Sequence, residues 1–184
     1  MNKRTLHTSQ LREAIGELKA GDRVLLSGTI YTARDAAHKR LFALLDAGES
    51  LPFELDSALI YYAGPTPAQA GMAVGSCGPT TSSRMDGFAP RLLDLGLGGM
   101  IGKSERNEAV CDAIVRNKAI YFCAVGGAGA LIANSILSAE EIAFPELGCE
   151  SIKRMQIKDP PLTVAIDSEG GNIFKEGRAN YQHL

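Results

Sequence analysis

The sequence predicts one α/β domain of the swivelling β/β/α type with a mixed sheet, spanning residues 1–184. Its length fits a single domain, since one domain takes about 150 residues. Strand-like apolar runs at 23–31, 59–63 and 119–125 are separated by segments whose apolar residues recur at helical spacing. Alternation of this kind is typical of α/β proteins. With 45% hydrophobic and 22% charged residues, the composition is that of a globular protein.

The first third of the chain predicts helix, strand, helix and strand in that order. A short amphipathic helix begins at Thr8 and ends at Gly21. Its apolar face consists of Leu11, Ile15 and Leu18. The strand at 23–31 follows, and Thr32 then has the spacing of a capping box that opens the next helix. Apolar residues continue that helix at Ala37, Leu41, Leu44 and Leu45.

The middle third is rich in glycine, with nine glycines between 64 and 102. We expect strands at 72–76 and 99–102, and a turn into a helix at 78–84. Ser104 is predicted to cap the next helix. The buried strand at 119–125 leads through the glycines at 126–129 into a short helix that reaches Ile136. Finally, segments 162–167 and 172–175, joined by the turn 168–171, predict a β-hairpin.

Composition and charge exclude several classes of protein as defaults. The formal net charge of −2 lacks the basic excess expected of a nucleic-acid or anionic-membrane binder. No apolar run approaches the roughly 18 residues that span a bilayer. The basic start lacks the apolar segment of a signal peptide. Four scattered cysteines show no metal-ligand spacing, so we expect reduced thiols, no metal held by this chain and a cytoplasmic location.

Two glycine motifs come close to phosphate-binding patterns and fail. The segment Gly102-Lys103-Ser104 ends like a P-loop, but Leu97 stands where the first glycine belongs. The segment Gly127-Ala128-Gly129 begins like a dinucleotide fingerprint, but Ile132 stands where a small residue belongs. Tight strand-to-helix turns explain these glycines better than a nucleotide site does.

Cations and hydroxyls follow the ends of three predicted strands. Arg34 follows the first, a run of four hydroxyl residues at 80–83 with Arg84 follows the second, and Lys103 follows the third. Arg34 falls in a helix's first turn, where the helix dipole disfavours positive charge unless an anion is near. Because the carboxyl ends of parallel strands build the ligand site in α/β sheets, the grouping predicts a small, multiply anionic ligand such as a dicarboxylate.

Each of these residues also has a purely structural interpretation. Arg84 could be a surface arginine on a capped helix, and Lys103 an ordinary exposed lysine. His38 could face the same edge or sit at the border of the core. No Ser-His-Asp arrangement or pair of carboxylates stands out, so the chain predicts substrate binding without the groups that transform a substrate.

Four motifs together resemble one family, the β subunits of the iron–sulfur hydro-lyases, which are the class I fumarate hydratases and L(+)-tartrate dehydratases. The motifs lie at residues 28–38 (GTIYTARDAAH), 62–67 (YAGPTP), 78–86 (GPTT with RMD) and 102–103 (GK). Their order and spacing match across nearly the whole chain, with only a loose match after Cys149. Relatives often have glycine after the lysine, whereas this chain has Ser104.

The resemblance implies a specific activity, partner and set of site residues. The reaction is the reversible hydration of fumarate to (S)-malate, in an α2β2 heterotetramer whose α subunit holds a four-iron four-sulfur cluster. By motif position, Thr80 is the catalytic hydroxyl, and the substrate-binding residues are Arg34, Arg84, Lys103 and Thr81. His38 and Asp86 are expected to lie behind these residues and to hold them in position without touching the substrate. The alternatives are an L(+)-tartrate dehydratase β subunit and a stand-alone carboxylate- or nucleotide-binding module.

Overall fold

A computed structural model describes residues 3–179 and confirms a mixed α/β domain built around one eight-stranded sheet. Residues 1, 2 and 180–184, the ends of the predicted domain, lie outside the described residues. The strands are β1 (Lys3–His7), β2 (Arg23–Thr32), β3 (Leu59–Tyr61), β4 (Gly99–Gly102), β5 (Ile120–Cys123), β6 (Ile136–Ala143), β7 (Ile152–Ile157) and β8 (Pro161–Ile166). The α-helices are α1 (Leu11–Ala14), α2 (Asp35–Asp46), α3 (Ala89–Asp94), α4 (Glu108–Arg116), α5 (Gly129–Ala133) and α6 (Ile173–Ala179).

The sheet closes on itself through the long strand β2. Strands β2, β3, β4 and β5 run parallel in that order, and β8 pairs antiparallel with both β5 and the start of β2. The second half of β2 pairs with β7, which carries the outer strand β6. β1 lies parallel to the start of β2. The parallel strands therefore share one carboxyl edge.

Alternating side chains of the strands supply two hydrophobic cores on opposite faces of the sheet. In β3, Leu59 and Tyr61 belong to one core, whereas Ile60 and the following Tyr62 belong to the other. β2 is buried at every second residue along its whole length. Period-two burial is what an extended chain dictates, because successive side chains point to opposite faces. Both faces of the central strands are therefore covered.

Most strong periodic signals in the sequence correspond to observed elements. The strands predicted at 23–31, 59–63, 99–102, 119–125 and 162–167 all occur, with small shifts at their ends. The predicted first helix is a mixture of α-helical and 3-10 turns over residues 8–17, and its apolar residues Leu11, Ile15 and Leu18 are buried.

Two predicted helix caps are wrong. Thr32 is the last residue of β2, where its hydroxyl donates to the carbonyl of Ser151 and accepts the amide of Lys153 across the sheet. The residue before α2 is instead Arg34, whose side chain makes no capping hydrogen bond. Ser104 lies before α4 in a left-handed conformation with φ of 71°, and Asn107 caps that helix by accepting the amide of Val110.

The structure also corrects the predictions at 72–76 and near the carboxyl end of the chain. Segment 72–76 is irregular, with bends at residues 73 and 75, rather than a strand. The helix predicted to reach Ile136 stops at Ala133, because Ile136 begins β6. The turn after β8 exists, but α6 follows it instead of the second hairpin strand, since the Asn172 side chain accepts the amides of Phe174 and Lys175 and starts the helix. Strands β1, β6 and β7 were not predicted.

Candidate functional site

The parallel order of β2, β3 and β4 brings the predicted cations to one edge of the sheet. Arg34 follows the end of β2, and Lys103 is the residue after β4. Thr80 reaches the end of β3 because its amide donates to the carbonyl of Tyr62 at 2.7 Å. Thr81 forms an isolated parallel bridge with Lys103. The edge predicted from strand order therefore exists, and these residues share it.

Arg34 is held at this edge by carboxylates of the chain itself. Its Nη2 lies 3.2 Å from Glu150 Oε1, and the side chain is 21% exposed. The other oxygen of Glu150 accepts the amide of Ala36, so this distant carboxylate caps α2 in place of the side chain before the helix. Gly64 leaves room for the guanidinium, since a Cβ there would lie 3.1 Å from Arg34 Nη1.

Three buried polar atoms beside Arg34 have no hydrogen-bond partner among residues 3–179. They are Arg34 Nε, Asp35 Oδ2 and His38 Nε2, and within that range no other buried side-chain nitrogen or oxygen is unpartnered. All three belong to the start of α2. Arg34 Nε and Asp35 Oδ2 lie 4.0 Å apart, which is too long for a hydrogen bond. Buried polar groups are almost always paired, so this concentration makes the first turn of α2 a candidate for ligand binding.

Arg84 joins Arg34 through a shared carboxylate. Its Nε donates to Asp35 Oδ1 at 2.8 Å, while the other oxygen of Asp35 faces Arg34. Half of the Arg84 side chain is exposed. The helix expected around it is only the 3-10 turn Ser82–Met85, and Thr80 precedes that turn. The helix predicted to follow the turn at 78–84 is therefore replaced by this short 3-10 turn, although Thr80 and Arg84 lie at the same edge.

The four consecutive hydroxyl residues at 80–83 do not form one anion-binding group. Thr81, which precedes the 3-10 turn, makes no side-chain capping bond. Ser82 is fully buried, and its Oγ accepts the Lys103 amide at 3.1 Å. The Thr80 hydroxyl is partly exposed and forms no hydrogen bond with the described residues. Thr80 and Thr81, both partly exposed, therefore each place at the edge a hydroxyl that bonds to no described residue.

Lys103 is partly buried and has no carboxylate within 4.0 Å of its amine among the described residues. Its backbone is fixed on both sides, because its amide donates to Ser82 Oγ and its carbonyl accepts the Ser82 amide at 3.0 Å. Gly102 makes this approach possible, since a Cβ there would lie 2.0 Å from Ser82 Oγ. Lys103 thus has a firmly placed backbone and a charge that no described residue neutralises.

His38 lies behind Arg34 and is fully buried. Its Nδ1 is 2.8 Å from the carbonyl of Arg34. A carbonyl only accepts, so Nδ1 carries the proton and Nε2 is left as an unprotonated lone pair. Burial lowers the pKa of His38 to about 4, outweighing the carbonyl that raises it. His38 is therefore neutral at pH 7 and supports the backbone that presents Arg34.

Asp86 lies beneath the loop that follows Lys103. Its two oxygens accept Arg106 Nε at 2.6 Å and the Asn107 amide at 2.8 Å. The Arg106 side chain is completely buried, and its guanidinium lies over the rings of Tyr62 and Tyr121 at 5.3 and 5.1 Å. Among the described residues, Asp86 forms no ion pair with Arg34 or Arg84. It is therefore a structural carboxylate beneath the edge.

Sequence reasoning missed the residues that organise this edge. Glu150 and Arg106 lie far along the chain from their partners, and no local pattern indicates either one. Asp35 is the one organising residue that the sequence could have indicated, because it follows Arg34 directly and a carboxylate beside an arginine can pair with it. The capping-box interpretation of the segment that begins at Thr32 does not predict this role.

The larger cavities lie elsewhere. A cavity of about 690 Å³ lies near the amino ends of the parallel strands, and Arg12, Arg116 and Lys118 are among its lining residues. Arg12 pairs with Asp56 at 2.7 Å, and Arg116 donates to both oxygens of Asp94. Both arginines are therefore already paired, and the carboxyl edge remains the better candidate for a ligand.

The cysteines do not form a ligand set within the described residues. In that part of the chain no three histidine, cysteine or acidic side chains are grouped as a metal site would require. Burial raises the pKa of Cys77 to about 12, so its thiol is protonated at neutral pH. These residues therefore do not fit an iron–sulfur cluster. Within residues 3–179, no helix is long and apolar enough to cross a membrane.

Comparison with known proteins agrees with the motifs. The family model described as "Fumarase C-terminus" matches residues 1–177. The chain is 38% identical over 172 residues to the anaerobic class I fumarate hydratase of Escherichia coli K12, covering 90% of this chain and 31% of that protein. It is 35% identical over 170 residues to fumarate hydratase 2 of Leishmania major, covering 91% of this chain and 30% of that protein.

A second kind of relative has nearly the length of this chain. The L(+)-tartrate dehydratase subunit beta of Escherichia coli K12 is 31% identical over 181 residues, covering 96% of this chain and 89% of that subunit. By contrast, the chain spans only about 30% of the length of the fumarate hydratases it matches. With a family model that covers almost every residue, the chain belongs to the fumarase C-terminus family, which its relatives place among the hydro-lyases.

Proposed function

We propose that this chain is the substrate-binding β subunit of an iron–sulfur hydro-lyase that reversibly hydrates fumarate to (S)-malate. It works in the cytoplasm, with an α subunit that bears the cluster, as an α2β2 heterotetramer. The coarser assignment, a member of a hydro-lyase family with β-subunit relatives, is carried by the comparisons above. The substrate, the partner and the roles of individual residues are the proposal.

One observation supports dicarboxylate binding most directly. Arg34 Nε is buried without a partner at the edge where the Lys103 amine has no carboxylate among the described residues. Glu150 holds the other end of the same guanidinium, so the free donor points in a fixed direction. A guanidinium with an unused donor and an ammonium that follows another strand at the same edge together suit the two carboxylates of fumarate or malate.

The proposed roles follow from where each group lies. Arg34, Arg84 and Lys103 bind the substrate carboxylates, and Thr81 lines the site beside Lys103. Removing the proton next to a carboxylate places additional negative charge on that group, and cations fixed in advance stabilise it. The free hydroxyl of Thr80 moves the proton. A threonine is a weak base, so Thr80 relies on these cations to favour its alkoxide.

The remaining chemistry belongs to the partner. In the proposal, a cluster held by the α subunit would supply the Lewis acid for the departing hydroxyl, a role that no side chain of this edge fills. This chain binds and orients the dicarboxylate and handles the proton. Isolated, it is expected to be colourless and inactive.

L(+)-tartrate is the second candidate substrate, and a specific observation favours it. The chain matches 89% of a tartrate dehydratase β subunit but only about a third of the fumarate hydratases. Tartrate differs from malate by one further hydroxyl. A site that hydrogen-bonds this hydroxyl can discriminate strongly, whereas one that only tolerates it discriminates by about 100-fold.

The decisive experiment is anaerobic co-expression with the neighbouring α-subunit gene, followed by kcat/KM for malate and for L-tartrate on one preparation. We expect a clear preference for malate. Arg116→Ala, which removes a paired cation at the opposite edge, is the matched control and should leave both values unchanged.

Two results would contradict the proposal in different ways. A preference for tartrate would replace the substrate and leave the family and the site standing. Tight binding of malate or ATP by the isolated chain, measured by calorimetry, would instead favour a stand-alone binding module.

A further inference from the structure

Ser104, the residue after Lys103, has a backbone conformation that serine rarely adopts. Its φ is 71°, in the left-handed region where residues with a Cβ are strained. Its side chain is exposed, so packing of that side chain does not hold the conformation. Strain of this kind persists only where surrounding contacts determine it, and it occurs preferentially at functional sites.

A chain of hydrogen bonds supplies those contacts. The Tyr121 hydroxyl lies 2.8 Å from the carbonyl of Ser104 and 2.9 Å from Ser82 Oγ. Because a carbonyl only accepts, Tyr121 donates its proton to Ser104 and accepts one from Ser82. Ser82 Oγ in turn accepts the amide of Lys103 at 3.1 Å. The network therefore binds the backbone of Lys103 and Ser104 from both sides.

The network is rigid because it is buried. Tyr121 and Ser82 are both fully buried, and the Arg106 guanidinium lies 5.1 Å over the Tyr121 ring. Burial raises the pKa of the Tyr121 phenol far above its usual range, so the phenol remains a donor at any physiological pH. A buried, satisfied network of this kind specifies one conformation.

We propose that Tyr121 is a positioning residue for Lys103: its hydroxyl holds Ser104 in the left-handed conformation and thereby aims the Lys103 ammonium into the site. The inference rests on the proposed function for the role of Lys103 and adds a residue that touches no substrate. It also explains how a serine occupies a position whose backbone suits glycine.

The test compares Tyr121→Phe, Ser104→Gly and the double variant in the assembled αβ enzyme. Tyr121→Phe removes one hydroxyl and leaves the ring. We expect it to raise KM for malate roughly fivefold or more with a smaller change in kcat, because a displaced Lys103 loses binding to a carboxylate that is charged throughout the reaction. Glycine adopts positive φ without strain, so Ser104→Gly should remove the need for the hydroxyl. The double variant should then match Ser104→Gly within about twofold.

Tyr61→Phe is the matched control for a purely structural effect. Tyr61 is buried like Tyr121, and its hydroxyl donates to a backbone carbonyl, that of Cys77, at 2.7 Å. Any loss caused by Tyr61→Phe should not be rescued by Ser104→Gly. Equal losses from Tyr121→Phe with and without Ser104→Gly would show that Tyr121 acts only through core packing, and would overturn the proposal.

A second variant and a second measurement separate this inference from the proposed function. Ser104→Val leaves the core intact and adds strain, because β-branched residues tolerate positive φ poorly, so it should raise KM with Tyr121 present. In the same complexes, hydrogen exchange over residues 99–107 should be faster in Tyr121→Phe and unchanged in Tyr61→Phe. If no complex hydrates fumarate or dehydrates tartrate, the proposed function fails. If Tyr121→Phe leaves hydrogen exchange over residues 99–107 unchanged, the positioning role of Tyr121 is wrong, whatever the activity of the complex.

Discussion

The two edges of the parallel strands both carry arginines, but they use them differently. At the amino edge, Arg116 and Arg12 are half or more exposed, and each is paired with an aspartate. At the carboxyl edge, Arg34 is largely buried and keeps one donor unpartnered, and the Lys103 amine has no carboxylate near it among residues 3–179. The two arginines at the edge with the cavity of about 690 Å³ are therefore both paired.

This difference shows that cavity size and charge count do not by themselves locate a site. Exposed ion pairs, like those at the amino edge, contribute little to the free energy of folding because water screens the charges. At the carboxyl edge, burial makes each unpaired donor costly, so a free donor there persists only where it has a use. The pairing state of the arginines, rather than their number, distinguishes the two edges.

The largest effect should come from the buried pair beneath the carboxyl edge. Asp86→Ala leaves the fully buried Arg106 guanidinium without its carboxylate. We expect the free energy of unfolding to fall by about 3–5 kcal/mol, as is typical when one member of a buried pair is removed. Urea unfolding of the isolated chain measures this value. Asp94→Ala, which breaks an exposed pair at the amino edge, is the control and should cause little change.

Activity should depend on the carboxyl edge alone. In the assembled enzyme, Arg34→Ala and Arg84→Ala should each lower kcat/KM by at least 10- to 100-fold, since a charge-assisted contact contributes about 1.5–3 kcal/mol and more where it strengthens in the transition state. Circular dichroism checks that the fold survives. Arg12→Ala at the amino edge should leave turnover unchanged, and equal losses from all three variants would remove the distinction between the edges.

Acid should weaken the carboxyl edge through His38. Its pKa is about 4 in the folded chain, against about 6.5 when unfolded. Below pH 6.5 the unfolded chain binds a proton that the folded chain does not, so stability falls as the pH drops from 6.5 toward 4. We expect His38 to account for a loss of about 2 kcal/mol between pH 7 and pH 5.

His38→Asn should remove that part of the pH dependence. The variant keeps a side-chain donor that can reach the Arg34 carbonyl, and it has no group that titrates in this range. Unfolding curves at pH 5 and pH 7 for both proteins give the difference. An unchanged slope in His38→Asn would mean that other groups dominate acid sensitivity.

The smallest effect should come from the cysteines. In the assembled enzyme, replacing Cys149, which is exposed beside Glu150, or Cys77, which is buried before Thr80, with serine should leave the iron content unchanged. The reason is that the proposal assigns every cluster ligand to the α subunit. Iron content is measured on anaerobically purified complexes. Loss of iron from either variant would make this chain a ligand donor.

The sequence predicted those parts of the fold whose signals are local. The apolar runs of β3 and β5 were recognisable because both of their faces are buried, and buried strands read as continuous apolar segments, whereas β2 was recognisable from its alternating pattern. β6 was missed because it is an outer strand with half of its residues exposed and two glutamates among them. The false hairpin after β8 arose because a turn signal does not say whether a strand or a helix follows it.

By itself, the sequence determined that cations follow successive strands and that one of them, Arg34, sits at a helix start. Those facts depend on neighbours along the chain, which propensity and periodicity describe. Only the tertiary structure decided which cations remain free. Glu150 reaches Arg34 and the amide of Ala36 from the far end of the chain, and Tyr121 reaches Ser104 from the next strand. The partner of a charged or polar group is set by packing between distant segments, and no local pattern encodes that pairing.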